Sequence, residues 1–193
     1  MADHPEHCRL CKDKVRALLS AIYGECRTGY SFPWSARPEQ YARTIMGEAL
    51  RQISARLEES RGFRGFIKQS SMPPCDFFVP DPPFILEFDE SQHFTEARRE
   101  TLSLYRPEFK VGFPVSRWLD LCSLIDAKDD DPPDRDERRA WYDTLRDLVP
   151  ALHGLRPTVR IYAGEFPWCS LDSGSKRDQE NFCSILDRRL PIA

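Results

Sequence analysis

Residues 75–94 read CDFFVPDPPFILEFDESQHF, two aromatic and aliphatic runs on either side of a proline-rich break. Runs of this kind predict β-strands, and the break at residues 80–83, Pro-Asp-Pro-Pro, predicts the turn between them. If the turn consists of those four residues, Val79 faces Phe84 across the ladder, and counting back from this pair fixes the others. The stretch is therefore predicted to be a β-hairpin with a defined register.

The predicted register brings three carboxylates together on one face of the hairpin. Asp76 lies opposite Glu87, and Asp89 shares the face of Glu87 because side chains alternate along a strand. Opposed like charges destabilise a sheet, so the arrangement needs a physical reason. Either the face is solvated, one carboxyl is protonated, or a divalent cation such as Mg²⁺ binds the oxygens. We favour the cation. The other face is predicted to be core from its apolar residues, Phe77, Leu86 and Phe88.

At these residues the sequence resembles the very-short-patch-repair endonuclease-like branch of the PD-(D/E)XK nuclease superfamily. The likeness consists of an Asp, a Glu eleven positions later, and the pattern E-x-D-x-x-Q-H. Its members here are Asp76, Glu87, Asp89, Gln92 and His93. It covers about half of the chain. Asp89 stands where the superfamily usually has a lysine, as is typical of this branch, and Glu90 stands where the branch often has a small residue.

The resemblance implies a metal-dependent endonuclease that hydrolyses phosphodiester bonds, with DNA favoured over RNA as the partner. Asp76, Glu87 and Asp89 are implied to hold Mg²⁺ or Mn²⁺, which orients a water and neutralises charge on the phosphoryl group. Asp89, Gln92 or His93 would position the attacking water or a second metal, and the spacing leaves open which does so. Of these, His93 has an ordinary pKa suited to acid–base chemistry near neutral pH.

The resemblance also implies the fold, an α/β domain with a restriction endonuclease-like mixed central sheet flanked by helices. A single domain suits a chain of 193 residues of which 40% are hydrophobic. Within it, we assign the nuclease core to residues 38–93 and 134–163. An N-terminal helical extension occupies residues 1–34, an inserted helical segment residues 94–133, and a C-terminal tail residues 164–193.

Periodicity predicts the other elements of the chain. The strongest helix pattern runs over residues 38–58, with Ser35 as its cap and with Glu48 beside Ile45 at the edge of the apolar face. In the resembled branch a Glu on this first helix lies near the site, so Glu48 is included among the catalytic candidates. Strands are predicted at 62–70 and 157–163, and helices at 12–23, 95–105 (capped by Thr95), 116–125, 134–149 (capped by Asp134) and 178–190.

The charge pattern allows a nucleic-acid partner in one region. A net charge of −3 argues mildly against a protein that coats nucleic acid. Residues 37–68 nevertheless carry seven basic against four acidic side chains, which predicts a local basic surface. Arg64, Lys68 and Gln69 are candidate phosphate contacts. The alternative is that they belong to a solvated face.

The sequence has no secretory signal pattern and no apolar run near the roughly 18 residues of a membrane helix, so we expect a cytoplasmic protein without a membrane partner. Its seven cysteines then read as reduced thiols. Cys8 and Cys11 have the spacing of a structural Zn²⁺ knuckle, with His4, His7 and Cys26 nearby. Small buried thiols are the alternative for these cysteines.

Two further alternatives stay open. Residues 124–128, LIDAK, contain D-x-K, the usual catalytic tripeptide of the superfamily, which would move the roles to Asp126 and Lys128. The function can also be non-enzymatic, with a nuclease-like fold that binds nucleic acid or a protein partner without cutting.

Overall fold

The computed structural model describes residues 9–190, which form a mixed α/β fold around a four-stranded sheet. The strands are β1 Arg27–Tyr30, β2 Cys75–Pro80, β3 Pro83–Asp89 and β4 Val159–Tyr162, and they lie in that order. The first three form an antiparallel meander, and β4 pairs with β3 in parallel. The predicted α/β class with a mixed central sheet is confirmed.

Helices cover both faces of this sheet. They are α1 Arg9–Tyr23, α2 Gly47–Ser60, α3 Glu96–Ser103, α4 Val115–Ile125, α5 Arg135–Leu152 and α6 Lys176–Asp187. On one face, α1 and α6 contribute Val15, Leu18 and Phe182 to a core that includes the strands. On the other face, α2 and α5 contribute Leu50 and Trp141 to a second core. None of the described helices is long and apolar enough to cross a membrane.

The hairpin has the predicted register. Val79 pairs with Phe84 and Phe77 with Leu86, and the chain turns at residues 81–82. The predicted apolar face packs in the same core as α1. The opposite face is covered by α2 and α5, and the two carboxylates of β3 on it are buried. A solvated face therefore does not explain why the carboxylates of β3 lie together.

The predicted strand at residues 62–70 is wrong. In this segment Gly62 and Gly65 have φ angles of 75° and 69°, left-handed conformations that interrupt an extended strand. Phe66 is fully buried and anchors the loop to the core. The edge strand is instead β1, which lies in the segment predicted as an N-terminal extension. That segment therefore contributes a strand to the sheet.

The helix predicted at residues 38–58 is divided in two. A 3₁₀ helix at Pro38–Tyr41 comes first, and α2 begins only at Gly47. A Cβ added at Gly47 would lie 2.4 Å from the carbonyl oxygen of Tyr41, so this close approach of two backbone segments needs a glycine. Ser35 does not cap α2, because its hydroxyl accepts a hydrogen bond from the amide two residues further on.

The later elements lie where the sequence predicts them. Thr95 caps α3, with its hydroxyl accepting from the amide of Arg98 at 3.1 Å. Asp134 precedes α5 without making a side-chain cap and binds Lys68 at 2.9 Å instead. Asp126 is exposed at the end of α4 with a φ of 42°. The LIDAK segment is therefore the end of a helix and not the strand that the D-x-K alternative requires.

Candidate functional site

Two acidic residues lie side by side at the end of the hairpin away from its turn. The backbone amide of Asp76 donates to Oε1 of Glu87 at 3.4 Å, and Oδ2 of Asp76 accepts from the amide of Phe88 at 3.0 Å. The two residues are therefore neighbours through the Asp76 backbone, but the Asp76 carboxylate contacts Lys12 of α1, whereas that of Glu87 contacts Arg146 of α5 on the other side of the sheet. Each acidic residue of the hairpin face also has a basic partner from a distant part of the chain.

Asp76 is bound by Lys12 of α1. The Nζ atom lies 3.0 Å from Oδ1, and both side chains are partly exposed. Partial burial opposes the charge of Lys12, but the Asp76 carboxylate outweighs it and raises the pKa of Lys12. The two side chains line a pocket of about 380 Å³ together with Asp13, Arg16 and Thr28. An ammonium group and a carboxylate thus share an accessible pocket.

Glu87 is buried against Arg146 of α5. Its Oε1 lies 3.2 Å from Nε of Arg146, but this Nε makes no hydrogen bond within the described residues. The guanidinium donates instead to the carbonyl of Pro74 at 3.0 Å. Burial raises the pKa of Glu87 to about 7, against the charge of Arg146 and aided by that of Asp76. The arginine therefore offsets the buried carboxylate only in part.

Asp89 belongs to a buried network centred on Arg160 of β4. The Arg160 guanidinium donates to Asp89 at 2.6 Å and to Asp147 at 2.7 Å, and a third hydrogen bond of 3.2 Å goes to Asp143. The second carboxylate oxygen of Asp89 accepts from Nε1 of Trp118 at 2.7 Å. All five side chains are buried. Both oxygens of Asp89 are therefore engaged by protein donors.

We expect Trp118→Phe to cost more stability than Trp168→Phe. The first change leaves one oxygen of the buried Asp89 carboxylate without a donor, a loss of about 2 kcal/mol for a hydrogen bond to a charged group. The second removes a bond of 2.9 Å to the neutral carbonyl of Tyr162, worth about 1 kcal/mol. Both rings are fully buried, so the lost apolar area is matched. Urea unfolding of both variants measures the difference. Equal losses of stability would contradict the role of Trp118 as a donor to a charged carboxylate.

The network extends from Asp147 to α3 and to the residues that follow it. Nη2 of Arg98 and the hydroxyl of Tyr105 each donate to Asp147 at 2.6 Å. Burial opposes the charge of Arg98, but Asp147 outweighs it and raises the pKa of Arg98. These two residues and Trp118 come from residues 94–133, which were predicted to be an insertion. This segment therefore completes the buried network.

His93 lies where the network reaches the surface. Its Nδ1 is 2.9 Å from Oδ2 of Asp143 and 3.7 Å from Oδ1 of Asp89. Burial disfavours the charged ring, but the charge of Asp143 outweighs it and raises the pKa of His93. Burial opposes the charge of Asp143, but Arg160 and His93 hold the pKa of Asp143 well below its usual value. The result is a histidine–aspartate pair that is 20% exposed on the histidine side.

A basic cleft of about 340 Å³ adjoins this pair, and we call it the arginine cleft. Four of its lining residues are arginines of α5, namely Arg135, Arg138, Arg139 and Arg146. His93 and Asp143 line it as well, and Gln69 lines it from the loop before β2. Four arginines against one aspartate make its lining positive in a chain whose net charge is negative.

The remaining polar candidates differ in their positions. Gln92 adjoins the arginine cleft, with its backbone carbonyl accepting from Arg139 at 2.8 Å. Gln69 lines the cleft, whereas the ammonium group of Lys68 forms an ion pair with Asp134 before α5. Arg64 is exposed and lines a different surface pocket beside the end of α2. Of the three predicted phosphate contacts, the structure places one at the cleft.

Glu48 lies on the exposed face of α2. Arg51 binds it at 2.6 Å and Gln52 at 2.7 Å, and 53% of its side chain is exposed. It lines a pocket of about 450 Å³ whose other lining residues come from the 3₁₀ helix, α2 and the loop after it. Ile45 precedes α2 and is 86% exposed, so the predicted apolar edge beside Glu48 is wrong. The contacts of Glu48 are those of a solvated helix glutamate.

The candidate zinc residues lie only partly within the described chain. Cys8, His4 and His7 fall outside it, and Cys11 lies on α1 and is buried in the core. Cys26 packs against the same core, and burial raises its pKa to about 11. No three His, Cys, Asp or Glu side chains within residues 9–190 are grouped so as to hold a metal ion. Zinc at Cys8 and Cys11 stays a prediction.

Sequence reasoning missed the basic partners of the hairpin. One signal was available in the strand VRIY, where Arg160 stands between apolar residues. This strand pairs with β3, which carries the buried carboxylates of Glu87 and Asp89. A second signal was the spacing of Asp143, Arg146 and Asp147, which places charges on the inward side of α5. Lys12 carried no signal, since its proximity to Asp76 depends on how α1 packs.

Comparison of the chain with protein-family models, curated proteins and solved structures finds no match. What can be stated about its class comes from the fold and the site. The chain is a mixed α/β protein in which a buried aspartate–arginine network supports two adjacent carboxylates and a basic cleft.

Proposed function

We propose that the protein is a metal-dependent nuclease of the PD-(D/E)XK type that hydrolyses phosphodiester bonds, in DNA rather than RNA. The observation that carries the proposal is the grouping of Asp76 and Glu87 at one end of the hairpin, with the ammonium of Lys12 at 3.0 Å from Asp76. Two carboxylates and one lysine are the groups that the superfamily uses. In this proposal Lys12 of α1 supplies the ammonium group in place of the superfamily's usual lysine.

The order of elements supports the proposal. The resemblance implies a helix, three strands, a helix and a closing strand, and the chain has α1, β1, β2, β3, α5 and β4 in that order, with α2 between β1 and β2 and with α3 and α4 between β3 and α5. The first helix and the first strand are different segments from those predicted, since α1 replaces residues 38–58 and β1 replaces residues 62–70. Glu48 was selected from the replaced helix and therefore has no role in this proposal.

Asp76 and Glu87 fit Mg²⁺ or Mn²⁺ by the chemistry of their donors. Carboxylate oxygens suit these ions, and Mg²⁺ usually takes one or two of them and keeps several waters. No hydrogen bond joins Glu87 to Arg146, so the carboxylate is not committed to the arginine. The ion would polarise the phosphate and lower the pKa of a bound water. Asp89 is assigned to Arg160, because it is buried and both its oxygens accept from buried side chains, whereas Asp76 is 28% exposed and binds Lys12 and the amide of Phe88.

The other residues have separate tasks in this proposal. Lys12 contributes positive charge beside Asp76, where negative charge develops on the phosphate. His93 is held by Asp143 and moves a proton to or from the reacting oxygens, a role that its position beside the arginine cleft permits. Asp89 positions His93 indirectly, since it shares Arg160 with Asp143. Gln92 orients groups at the cleft by hydrogen bonding and takes no proton.

The test is cleavage of DNA in Mg²⁺ or Mn²⁺ by purified protein and three variants. We expect Asp76→Asn and Glu87→Gln each to lower the rate by about 10²-fold or more, because each removes a ligand and its charge. Glu180→Gln on α6 is the matched control, since Glu180 is exposed and loses the same charge. Thermal unfolding and far-UV circular dichroism confirm that the variants fold. Cleavage that survives in both variants would contradict the proposal.

A specific observation favours one alternative, a nuclease-like module that binds nucleic acid without cutting it. Asp76 and Asp89 each hold a basic side chain at 3.0 Å or less, as structural ion pairs do. Such a module would bind nucleic acid equally well with and without divalent metal and would leave it intact. The cleavage assay separates the two functions.

A further inference from the structure

The arginine cleft has features that the proposed reaction does not use. Arg135, Arg138, Arg139 and Arg146 recur along one side of α5, at the spacing of residues that share a helix face. Between them lies Tyr142, which also lines the cleft. A single helix thus presents a row of guanidinium groups to one cavity. Such a row is costly unless anions offset it, since like charges at this spacing repel.

The acidic residues of the protein offset this row only in part. Asp129 binds Arg135 at 2.9 Å and Arg139 at 2.7 Å, so one carboxylate serves two arginines. Arg138 has a long ion pair of 3.5 Å with Asp134, which Lys68 already binds at 2.9 Å. Positive charge therefore remains available at the cleft, and cavities lined by one sign of charge attract the opposite ion.

Two buried polar atoms of cleft residues lack a hydrogen bond within the described chain. They are the hydroxyl of Tyr142 and Nε of Arg146. The Tyr142 hydroxyl lies near the Gln69 amide without forming a regular hydrogen bond. Buried donors of this kind are uncommon in folded proteins, and each needs a partner. An oxyanion in the cleft would provide an acceptor for the Tyr142 hydroxyl, whereas Nε of Arg146 faces Oε1 of Glu87 at 3.2 Å.

We propose that the arginine cleft binds a backbone phosphate of a nucleic-acid strand, with Arg135 and Arg138 as the principal contacts. Guanidinium forks match phosphate oxygens in geometry and stay charged at all relevant pH values. The identification of that strand as the substrate rests on the proposed function. Arg146 supports this identification of the strand as the substrate, because its side chain lines the cleft and also lies against Glu87. A phosphate in the cleft is then close to Glu87, which Arg146 contacts.

The test measures binding without cleavage. A fluorescein-labelled DNA duplex is titrated with protein in EDTA at several salt concentrations, and anisotropy reports the affinity. We expect Arg135→Gln/Arg138→Gln to bind about tenfold more weakly or worse and to lower the salt slope by about two, since each lost phosphate contact removes close to one unit. Lys176→Gln/Arg177→Gln on α6 is the matched control, with the same change in charge on an exposed helix. It is expected to bind as the unmodified protein does.

Competitors identify what the cleft recognises. A single-stranded oligonucleotide should displace the duplex and a nucleoside monophosphate should do so weakly, whereas an acidic peptide of equal charge should not. Displacement by the peptide as effective as that by DNA would overturn the proposal, as would equal binding by the two double variants. Failure of the nuclease proposal gives a different result. In that case DNA stays intact in Mg²⁺, while its binding still depends on Arg135 and Arg138.

Discussion

Replacing Arg160 by methionine should lower the free energy of unfolding by about 3–5 kcal/mol, the range for breaking a buried ion pair by removing one partner. Arg160 is fully buried and binds three aspartates, Asp89, Asp143 and Asp147. Methionine fills a similar volume but offers no donor. The three carboxylates would then keep only their other hydrogen-bond partners, which are Arg98 and Tyr105 for Asp147, Trp118 for Asp89 and His93 for Asp143.

A second substitution identifies charge as the cause. In Arg160→Met/Asp89→Asn, one of the stranded carboxylates becomes neutral, so the double variant should be more stable than Arg160→Met alone. Arg177→Met, on the exposed face of α6, is the control for replacing an arginine and should change stability by less than about 0.5 kcal/mol. Urea unfolding of these proteins gives the comparison. A loss below about 1 kcal/mol in Arg160→Met would contradict the central role of this arginine.

Local rules were sufficient to predict the hairpin. Its apolar alternation and its proline turn fix which side chains oppose each other, and Val79 pairs with Phe84 as counted. The same holds for α5 and β4, where the apolar patterns are strong. Two of the segments predicted wrongly show the limit of such rules. Residues 62–70 look extended by composition, but Gly62 and Gly65 adopt left-handed backbone conformations. In contrast, β1 is a short exposed edge strand whose sequence RTGY has no apolar alternation.

The surroundings of the carboxylates could not be predicted in the same way. The spacing of Asp76, Glu87 and Asp89 predicts a common face, but their partners are Lys12, Arg146 and Arg160, which lie far away in the sequence and on different sides of the sheet. Which of these meet depends on how α1, α5 and β4 pack on the sheet. The partition of the three acids into one buried ion pair and two adjacent candidate ligands is therefore a property of the tertiary structure.

The unmodified protein in EDTA should lose stability relative to Glu87→Gln as the pH rises from about 4.5 to about 8, by on the order of 3 kcal/mol. Burial raises the pKa of Glu87 from 4.5 to about 7 in the folded protein. In this window the unfolded chain releases the Glu87 proton while the folded protein retains it. The stabilisation is therefore fully present below pH 4.5 and is lost as the pH rises through about 7. Glutamine has no such proton, so the stability of Glu87→Gln as a function of pH lacks this contribution. The pKa of His93 is also raised, but its effect on stability is common to both proteins.

Urea unfolding of the two proteins across this pH range measures the difference, and parallel curves would show that Arg146 keeps Glu87 ionised throughout. Adding Mg²⁺ near pH 8 connects this measurement to the proposed site. A cation bound by Asp76 and Glu87 stabilises the ionised carboxylate and the folded state together, so Mg²⁺ should raise the stability of the unmodified protein more than that of Glu87→Gln. Equal effects of Mg²⁺ on both proteins would separate the raised pKa of Glu87 from metal binding and leave it as a consequence of burial alone.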